Sequence, residues 1–346
     1  MPESTTPMVK NTTLKDVARD LNITVSAVSK ALSDHPAMSE ATKKLVKETA
    51  AKLNYRQNRI ALSLKTGKSH IIGVMIPSAE KLFFGSVVHG IEKIINPMGY
   101  NLLLFQTNES LEYEKRGIDT FLQANADCII ASIAKETTHY EHYAEIKKRN
   151  IPLILFDRAE ESLGVHSVKI DDYKGGYMAT EHLIKKGYRH IGHIAGLQHV
   201  QIFKDRFCGY RDALKAHKMT FDEGLVYYGK NSIESGDEGM ASLLNSNRKL
   251  DAVFCVEDFT ALGAMQVLKE KQVKIPKQMG VIGFANESFG KYISPTLTTI
   301  DQQTILMGEE AAKLFLKLNK RKNIYGQIDS VVLEPIIVER ESTKRK

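Results

Sequence analysis

The residues best placed to do chemistry in this chain of 346 residues stand at the ends of short apolar runs. Asp157-Arg158 closes Ile154-Leu155-Phe156, Glu257-Asp258 closes Ala252–Val256, and Asn286-Glu287 follows a run that ends at Phe284. Arg206 lies on a helical stretch beyond the Gly196 turn, and Phe83 and Phe84 follow the apolar run Ile71–Ile76. Carboxylates, a guanidinium and aromatic faces converging on one cleft suit a polar small molecule. They offer hydrogen bonds to hydroxyls and a flat apolar face. The plainer alternative is that each strand-end carboxylate only caps the helix after it. Catalytic patterns are missing. Gly67-Lys68-Ser69 lacks the upstream glycine of a phosphate-binding loop, and Gly192-His193-Ile194-Ala195-Gly196 is not a dinucleotide fingerprint. His139 and His142 lie three apart; His182, His190, His193 and His199 are scattered, without zinc-protease spacing. No GxSxG elbow occurs. The chain is therefore expected to be no enzyme and to carry no metal or cofactor. Cys128, Cys208 and Cys255 lack CxxC spacing, and Cys128 and Cys255 read as buried thiols inside apolar runs.

The elements that would hold such a site alternate. From His70 onward, apolar runs of four to six residues take turns with amphipathic stretches. Strands are expected at 71–76, 101–105, 128–131, 152–156, 191–195, 225–228, 252–256 and 280–284. Helices are expected near 86–95, 110–123, 140–149, 174–186, 203–216, 235–245 and 259–271. Continuous apolar strands joined through helices mean parallel sheets covered on both faces. Two successive sets predict two doubly wound α/β lobes with a cleft between them, and ligands of such sheets sit beyond the carboxyl ends of the strands.

The first fifty-eight residues follow a different rule. Leu14, Val17, Ala18 and Leu21 share one helix face after a Thr13…Asp16 capping-box-like start, with Asn22 as a left-handed stop. Thr24 caps a second helix that turns Val28, Ala31 and Leu32 inward and Val25, Ser26, Ser29 and Lys30 outward. A third helix starts at Ser39 and is expected to bury Leu45, Val46, Thr49 and Leu53. Two short helices joined by a tight turn match the helix-turn-helix layout. The exposed short polar side chains and the lysine on the second helix suit base edges in a major groove.

Charge supports this division. Residues 1–68 carry 12 Lys/Arg against 6 Asp/Glu, whereas the remainder carries 36 against 35. A basic module on a near-neutral body is the footprint of nucleic-acid binding. Hydrophobic content of 42% and charged content of 26% suffice for a packed core and exclude wholesale disorder. No run of eighteen apolar residues suggests a membrane span, and the polar start MPESTTPMVKNTT lacks a secretory apolar region, so a cytoplasmic protein is expected. These points, with the basic headpiece, argue against a periplasmic solute receptor.

Residues 13–76 resemble the headpiece and hinge of the LacI–GalR family of bacterial transcription regulators. The resemblance rests on Asp16-Val17-Ala18 through Val28-Ser29-Lys30, and on Leu53-Asn54-Tyr55 followed by Asn58, Ala61 and Leu64. It implies that Val25, Ser26 and Lys30 read bases beside the Thr24 cap, with Ser29 and Thr42 on phosphates. It also implies that a hinge helix carrying Asn58, Ala61 and Leu64 enters the minor groove, with Leu64 as a wedge. Lys30 stands where the family most often has Arg, and Gln57 where many members have Pro. Residues 70–340 resemble the family's effector domain, which has the fold of periplasmic sugar-binding proteins. The matching pieces are Ile154–Arg158, Ala179–Leu183, Gly187–Ile191, Arg206–Tyr210, Ala261–Ala264 and Ser294–Gln302. Carried over position by position, the effector contacts fall on or beside Phe83, Phe84, Asp157, Arg206, Asn231, Glu257, Asn286 and Gln302. Ala285 replaces an Asp of many sugar-sensing members, and Val200 and Ile202 replace polar residues of purine-sensing ones. A carbohydrate or its derivative is therefore expected rather than a purine. The implied division is 11–57 headpiece, 58–68 hinge helix and linker, 69–340 effector and dimerisation domain, and 341–346 basic tail. Within 69–340, lobe one takes about 69–170 and 300–333, and lobe two about 171–299 and 334–340. The implied partners are pseudo-palindromic double-stranded operator DNA, a small-molecule effector and a second copy of the chain, or more. The expected sign of regulation is repression.

Overall fold

The computed structural model describes residues 12–56 and 67–345. The chain divides into two compact units, the first ending at Ser69 and the second beginning at His70.

In the first unit three helices, α1 (Leu14–Asp20), α2 (Val25–Leu32) and α3 (Glu40–Lys52), bury Val17, Ala18, Val28, Ala31, Val46 and Ala50. Each helix start is satisfied locally. The Asp16 carboxylate accepts from the Thr13 N–H at 2.9 Å and from its hydroxyl at 2.7 Å. Thr24 Oγ1 accepts from Ala27 N at 3.1 Å, and Ser39 Oγ from Thr42 N at 3.2 Å. Asn22 takes φ 52°, the left-handed turn between α1 and α2. Leu45 departs from expectation: it is 53% exposed. Adjacent helical positions point about 100° apart. The buried stripe runs through Val46, Thr49 and Ala50, so Leu45 turns to solvent.

The second unit is α/β. Strands β1 (Ile71–Ile76), β2 (Asn101–Gln106), β3 (Cys128–Ala131), β4 (Leu153–Phe156), β5 (His166–Ile170) and β11 (Ser330–Leu333) form an all-parallel sheet in the order β11-β5-β4-β3-β1-β2. Helices α4 (Leu82–Ile95), α5 (Leu111–Gln123), α6 (Ala144–Lys148) and α11 (Thr304–Leu318) belong to this lobe. The second lobe is a parallel sheet β7-β6-β8-β9, of β6 (Ile191–Ala195), β7 (Val226–Tyr228), β8 (Ala252–Cys255) and β9 (Gly280–Ile282). Its helices are α7 (Asp172–Lys185), α8 (Gln201–Ala216), α9 (Ile233–Leu244) and α10 (Asp258–Glu270). A short antiparallel pair, β10 (Thr299–Asp301) with β12 (Ile336–Val338), packs Ile300 and Ile337 into the same core. The chain thus passes between lobes near 170–172, 301–304 and 333–336. Strands β1, β3, β4, β6 and β8 are buried almost throughout, as parallel strands covered on both faces must be.

Helices meet through glycine pairs. A Cβ on Gly90 of α4 would lie 2.1 Å from the Ile305 carbonyl, and one on Gly308 of α11 would lie 2.0 Å from that of Val87. Gly176 with Gly209 does the same for α7 and α8, and Gly236 with Gly263 for α9 and α10. Backbones at such distances leave no room for a side chain.

The end of the chain is not a free basic tail. Glu341–Thr343 forms a 3₁₀ turn whose Ser342 and Thr343 are fully buried. Ser342 Oγ donates to the Val281 carbonyl at 2.6 Å and accepts from Thr298 N at 2.8 Å, so the segment completes the backbone bonding of the second sheet's edge.

Candidate effector cleft and DNA-facing helix

On α2, Val25 is 40% exposed, Ser26 and Lys30 are exposed, and Ser29 is half-buried. These side chains lie opposite the buried Val28 and Ala31. Lys30 makes no ion pair among the described residues, whereas Lys43 and Lys47 are tied to Glu40 and Asp34 at 2.6 Å each. Thr42 Oγ1 sits 2.8 Å from Ser39 Oγ in the start of α3, and Thr24 caps α2. The hinge residues Asn58, Ala61 and Leu64 lie outside the described residues.

In the second unit a cleft opens at the carboxyl ends of the strands. Phe83, Phe84, Asp157, Arg206, Glu257 and Gln302, all expected effector residues, line it together. Phe83 and Phe84 stand in the first turn of α4 with rings edge to face, centroids 5.0 Å apart. Asp157 follows β4 at φ 60°, a left-handed geometry that Asp tolerates. Its carboxyl is buried, which pushes its pKa up, while Arg158 and Arg206 pull it back. Its described partner is Arg158 Nε at 3.7 Å, too long for a hydrogen bond. Two of the expected residues are elsewhere. Asn286 donates to Asp301 Oδ2 at 2.9 Å and accepts from Arg340 at 2.6 Å, so it braces the loop rather than lining the cleft. Asn231 is buried beside Gly196 and outside the cleft lining, with no hydrogen-bond partner on either amide atom among the described residues.

Arg158, Asp258 and Glu287 from the strand ends complete the wall, together with Lys81, Phe203 and Phe259, which were not singled out beforehand. Every cation here already holds a carboxylate. Lys81 meets both Glu257 oxygens at 2.8 Å. Arg158 grips Glu109 through two bonds of 2.6 and 3.0 Å. Burial works to raise the Glu109 carboxyl, but Arg158 and Lys135 hold it at about 2. Arg206 donates to Asp172 at 2.8 Å, to the Val256 carbonyl at 2.8 Å and to Gln302 at 3.3 Å, and stacks 3.7 Å over the Phe284 ring. Burial pushes the Asp172 carboxyl up to about 7 against the pull of Arg206. Asp258 is likewise pushed to about 7 by burial, with Thr299 and the Glu287 N–H opposing. Glu287 is buried and raised by burial, and its Oε1 accepts from Phe83 N at 3.4 Å. The cleft therefore has buried acceptors to spare and no unpaired cation among the described residues. His193 is a core group: stacked on Phe254 and bonded to its carbonyl at 2.8 Å, it is lowered by burial to about 4.

Comparison with known proteins agrees with both halves. Residues 13–58 match the family of bacterial regulatory proteins of the lacI type, and residues 69–329 match the periplasmic binding proteins and sugar-binding domain of the LacI family. The HTH-type transcriptional regulator RegA of Clostridium saccharobutylicum is 31% identical over 96% of this chain and 99% of its own length. The chain belongs to the LacI family. The transcriptional repressor PurR of Vibrio atlanticus is 30% identical over 96% of this LacI-family chain and 98% of its own. Among solved structures, a complex of the regulator CelR with cellobiose is 27% identical, with a TM-score of 0.71 over 96% of this chain and all of that one. The lac repressor dimer bound to operator and an anti-inducer shares the fold, with a TM-score of 0.85 at 22% identity over 96% of this chain and 99% of that one. The chain is thus a DNA-binding transcriptional regulator of the LacI family, and its relatives are regulators rather than enzymes. Among the described residues no helix is long and apolar enough to cross a membrane.

Proposed function

We propose that this LacI-family regulator represses transcription by binding a pseudo-palindromic operator as a homodimer, and that an uncharged carbohydrate in the cleft sets its operator affinity. Val25, Ser26 and Lys30 read base edges, while Ser29 and Thr42 stand toward phosphates. The observation that carries the effector reading is the hydrogen-bond balance of the cleft. Asp157 is a buried carboxylate lacking hydrogen-bond donors among the described residues, whereas Lys81, Arg158 and Arg206 are each committed to a carboxylate. A ligand rich in hydroxyl donors and free of negative charge meets that balance. Its apolar ring face finds Phe83, Phe84 and Phe203. The wall at Ile202 is apolar, which disfavours a purine that needs polar partners there.

The test is selection of bound DNA from a random library by the full-length protein, followed by titration of the selected operator with neutral sugars, phosphorylated sugars and purine bases in separate arms. A shift in operator affinity with a neutral sugar is expected. A response confined to purines or to phosphorylated sugars would refute the effector reading. Failure to select any sequence would refute the operator reading.

A further inference from the structure

Helix α4 brings Phe83 and Phe84 to the cleft, and its start breaks a local rule. Its N-cap is Lys81, whose side chain makes no cap hydrogen bond to the helix. Helices are capped by Ser, Thr, Asp and Asn, and a first turn disfavours a cation. The second lobe supplies what this helix start lacks. Glu287 Oε1 accepts from the Phe83 N–H at 3.4 Å, and both Glu257 oxygens meet the Lys81 ammonium at 2.8 Å. Phe83 is the second residue of α4, a position whose N–H a cap side chain ordinarily satisfies. We propose that this regulator closes its own cleft when no effector is bound. The second lobe caps α4 through Glu287 and latches Lys81 through Glu257. An effector then acts by taking the place of these contacts, not by drawing an open cleft shut.

The pair differs from an ordinary surface ion pair. Its side chains are only 21% and 13% exposed, so salt screens it less than an exposed pair and it persists at physiological ionic strength. Charge is also divided between the lobes. Lys81, Lys135 and Arg158 belong to the first lobe, and Glu257 and Glu287 to the second, where the cation Arg206 is already held by Asp172. Opposite signs therefore face each other across the cleft. Glu257 lies within electrostatic reach of Lys135 and Arg158 as well as of Lys81. A further contact joins the lobes nearby, where His199 Nε2 lies 3.0 Å from the Lys135 carbonyl. Lys81, Phe83, Glu257 and Glu287 all line the cleft, so the latch stands where a ligand binds. A ligand hydroxyl that donates to Glu257 or Glu287 takes an acceptor from Lys81 or from the Phe83 N–H. A shielded donor left without a partner destabilises the closed arrangement, so ligand and latch compete. The closure itself needs no ligand, because every contact in it is made by the protein.

The test is amide hydrogen exchange on the full-length protein without ligand or DNA, for the parent, Lys81→Met, Glu257→Gln and the double variant. Lys81→Met keeps the apolar stem beside the Phe259 ring, and Glu257→Gln keeps the shape of the side chain. Each single variant is expected to speed exchange of the Phe83 amide and of residues 133–137 and 199–203 about tenfold, by opening the cleft. Strands β3 and β8 exchange as in the parent, which shows that the fold is intact. The double variant exchanges no faster than either single one, because the two residues act as one pair. On the operator selected by the parent, ligand-free affinity shifts about fivefold or more, in the same direction for all three variants. Parent-like protection of Phe83 in either single variant, or additive effects in the double one, would overturn the latch. Faster exchange with unchanged operator affinity would overturn its regulatory role. No sugar enters these measurements, so their outcome does not depend on which effector the cleft takes.

Discussion

Replacing Arg206 by alanine strands a buried carboxylate, and the consequences follow from geometry. The guanidinium holds Asp172 at 2.8 Å and the Val256 carbonyl at 2.8 Å, and it covers the Phe284 ring. Arg206 and Asp172 are 2% and 5% exposed, so water does not replace the lost donor. Removing one partner of a buried ion pair costs about 3–5 kcal/mol. The loss carries a pH signature. Burial already pushes Asp172 to about 7 with Arg206 present, and removing the cation moves it further up. The folded state then keeps a proton that the unfolded chain releases near 3.8, so stability falls as pH rises across that window. The deficit relative to the parent is therefore greater at about pH 8 than at about pH 5.5. Urea unfolding of the parent, Arg206→Ala, Asp172→Asn and the double variant at both pH values measures it. The double variant recovers most of the loss, because no charge is left unpaired. A loss below about 1 kcal/mol at both pH values, or no recovery in the double variant, would refute the reasoning. Under the proposed effector reading, ligand binding in the cleft is expected to disappear in Arg206→Ala in either case, since Gln302 and the cleft wall lose their brace.

Asp258→Asn removes a second pH-dependent group: the buried Asp258 carboxyl, raised to about 7, gives the parent a stability that declines as pH climbs from about 4 to 7. The variant lacks that slope, so its stability relative to the parent improves toward neutral pH by up to about 1.4 kcal/mol per unit; a pH-independent difference in urea midpoints would contradict this. Gly90→Ala places a methyl 2.1 Å from the Ile305 carbonyl and is expected to cost about 1–3 kcal/mol despite the better helix propensity of alanine, read as a lowered melting temperature. A variant that melts with the parent would show that α4 and α11 separate freely. Lys30→Ala is expected to lose about 1–3 kcal/mol on the selected operator and to relax preference at one base pair per half-site. Equal loss on all sequences would make Lys30 a phosphate contact.

Much of this site was legible because parallel strands deliver their carboxyl-end residues to one edge. Asp157, Glu257 and Arg206 needed only the strand pattern and the following helix to be placed. Asn286 fared differently. Ala285 and Asn286 take φ 124° and 57°, so the chain turns after Phe284 and brings Glu287 to the cleft while Asn286 binds Asp301 and Arg340. Nothing local in Ala-Asn-Glu announces two consecutive positive φ angles at residues other than glycine. Strand β5 was hidden for another reason. His166 and Ser167 are buried although polar, because His166 bonds the Ile324 carbonyl and Ser167 bonds Ser330. Partners more than 150 residues away make that strand apolar in effect. The same holds at the end of the chain, where Ser342 and Thr343 look like a polar tail until the second sheet supplies their partners.

The contacts that cross the cleft bear on how a ligand signals. Lys81 of the first lobe meets Glu257 of the second, Glu287 reaches Phe83, and His199 reaches Lys135, so the lobes hold each other through protein groups of their own. A ligand changes the balance between lobe arrangements only by the difference in its affinity for them. Contacts confined to one lobe persist when the lobes rotate about the connections near 170–172, 301–304 and 333–336, and they contribute nothing to switching. Asp157 belongs to the first lobe, while Arg206 and Glu287 belong to the second. A hydroxylated ring held between Asp157 and Glu287 is bound by both lobes and is released by either one moving. Ordinary coupling energies of about 1–3 kcal/mol need only one or two such bridging hydrogen bonds. A handful of hydroxyls placed across the cleft is therefore enough to govern operator affinity, provided that Lys81 and Glu257 exchange partners when the lobes separate.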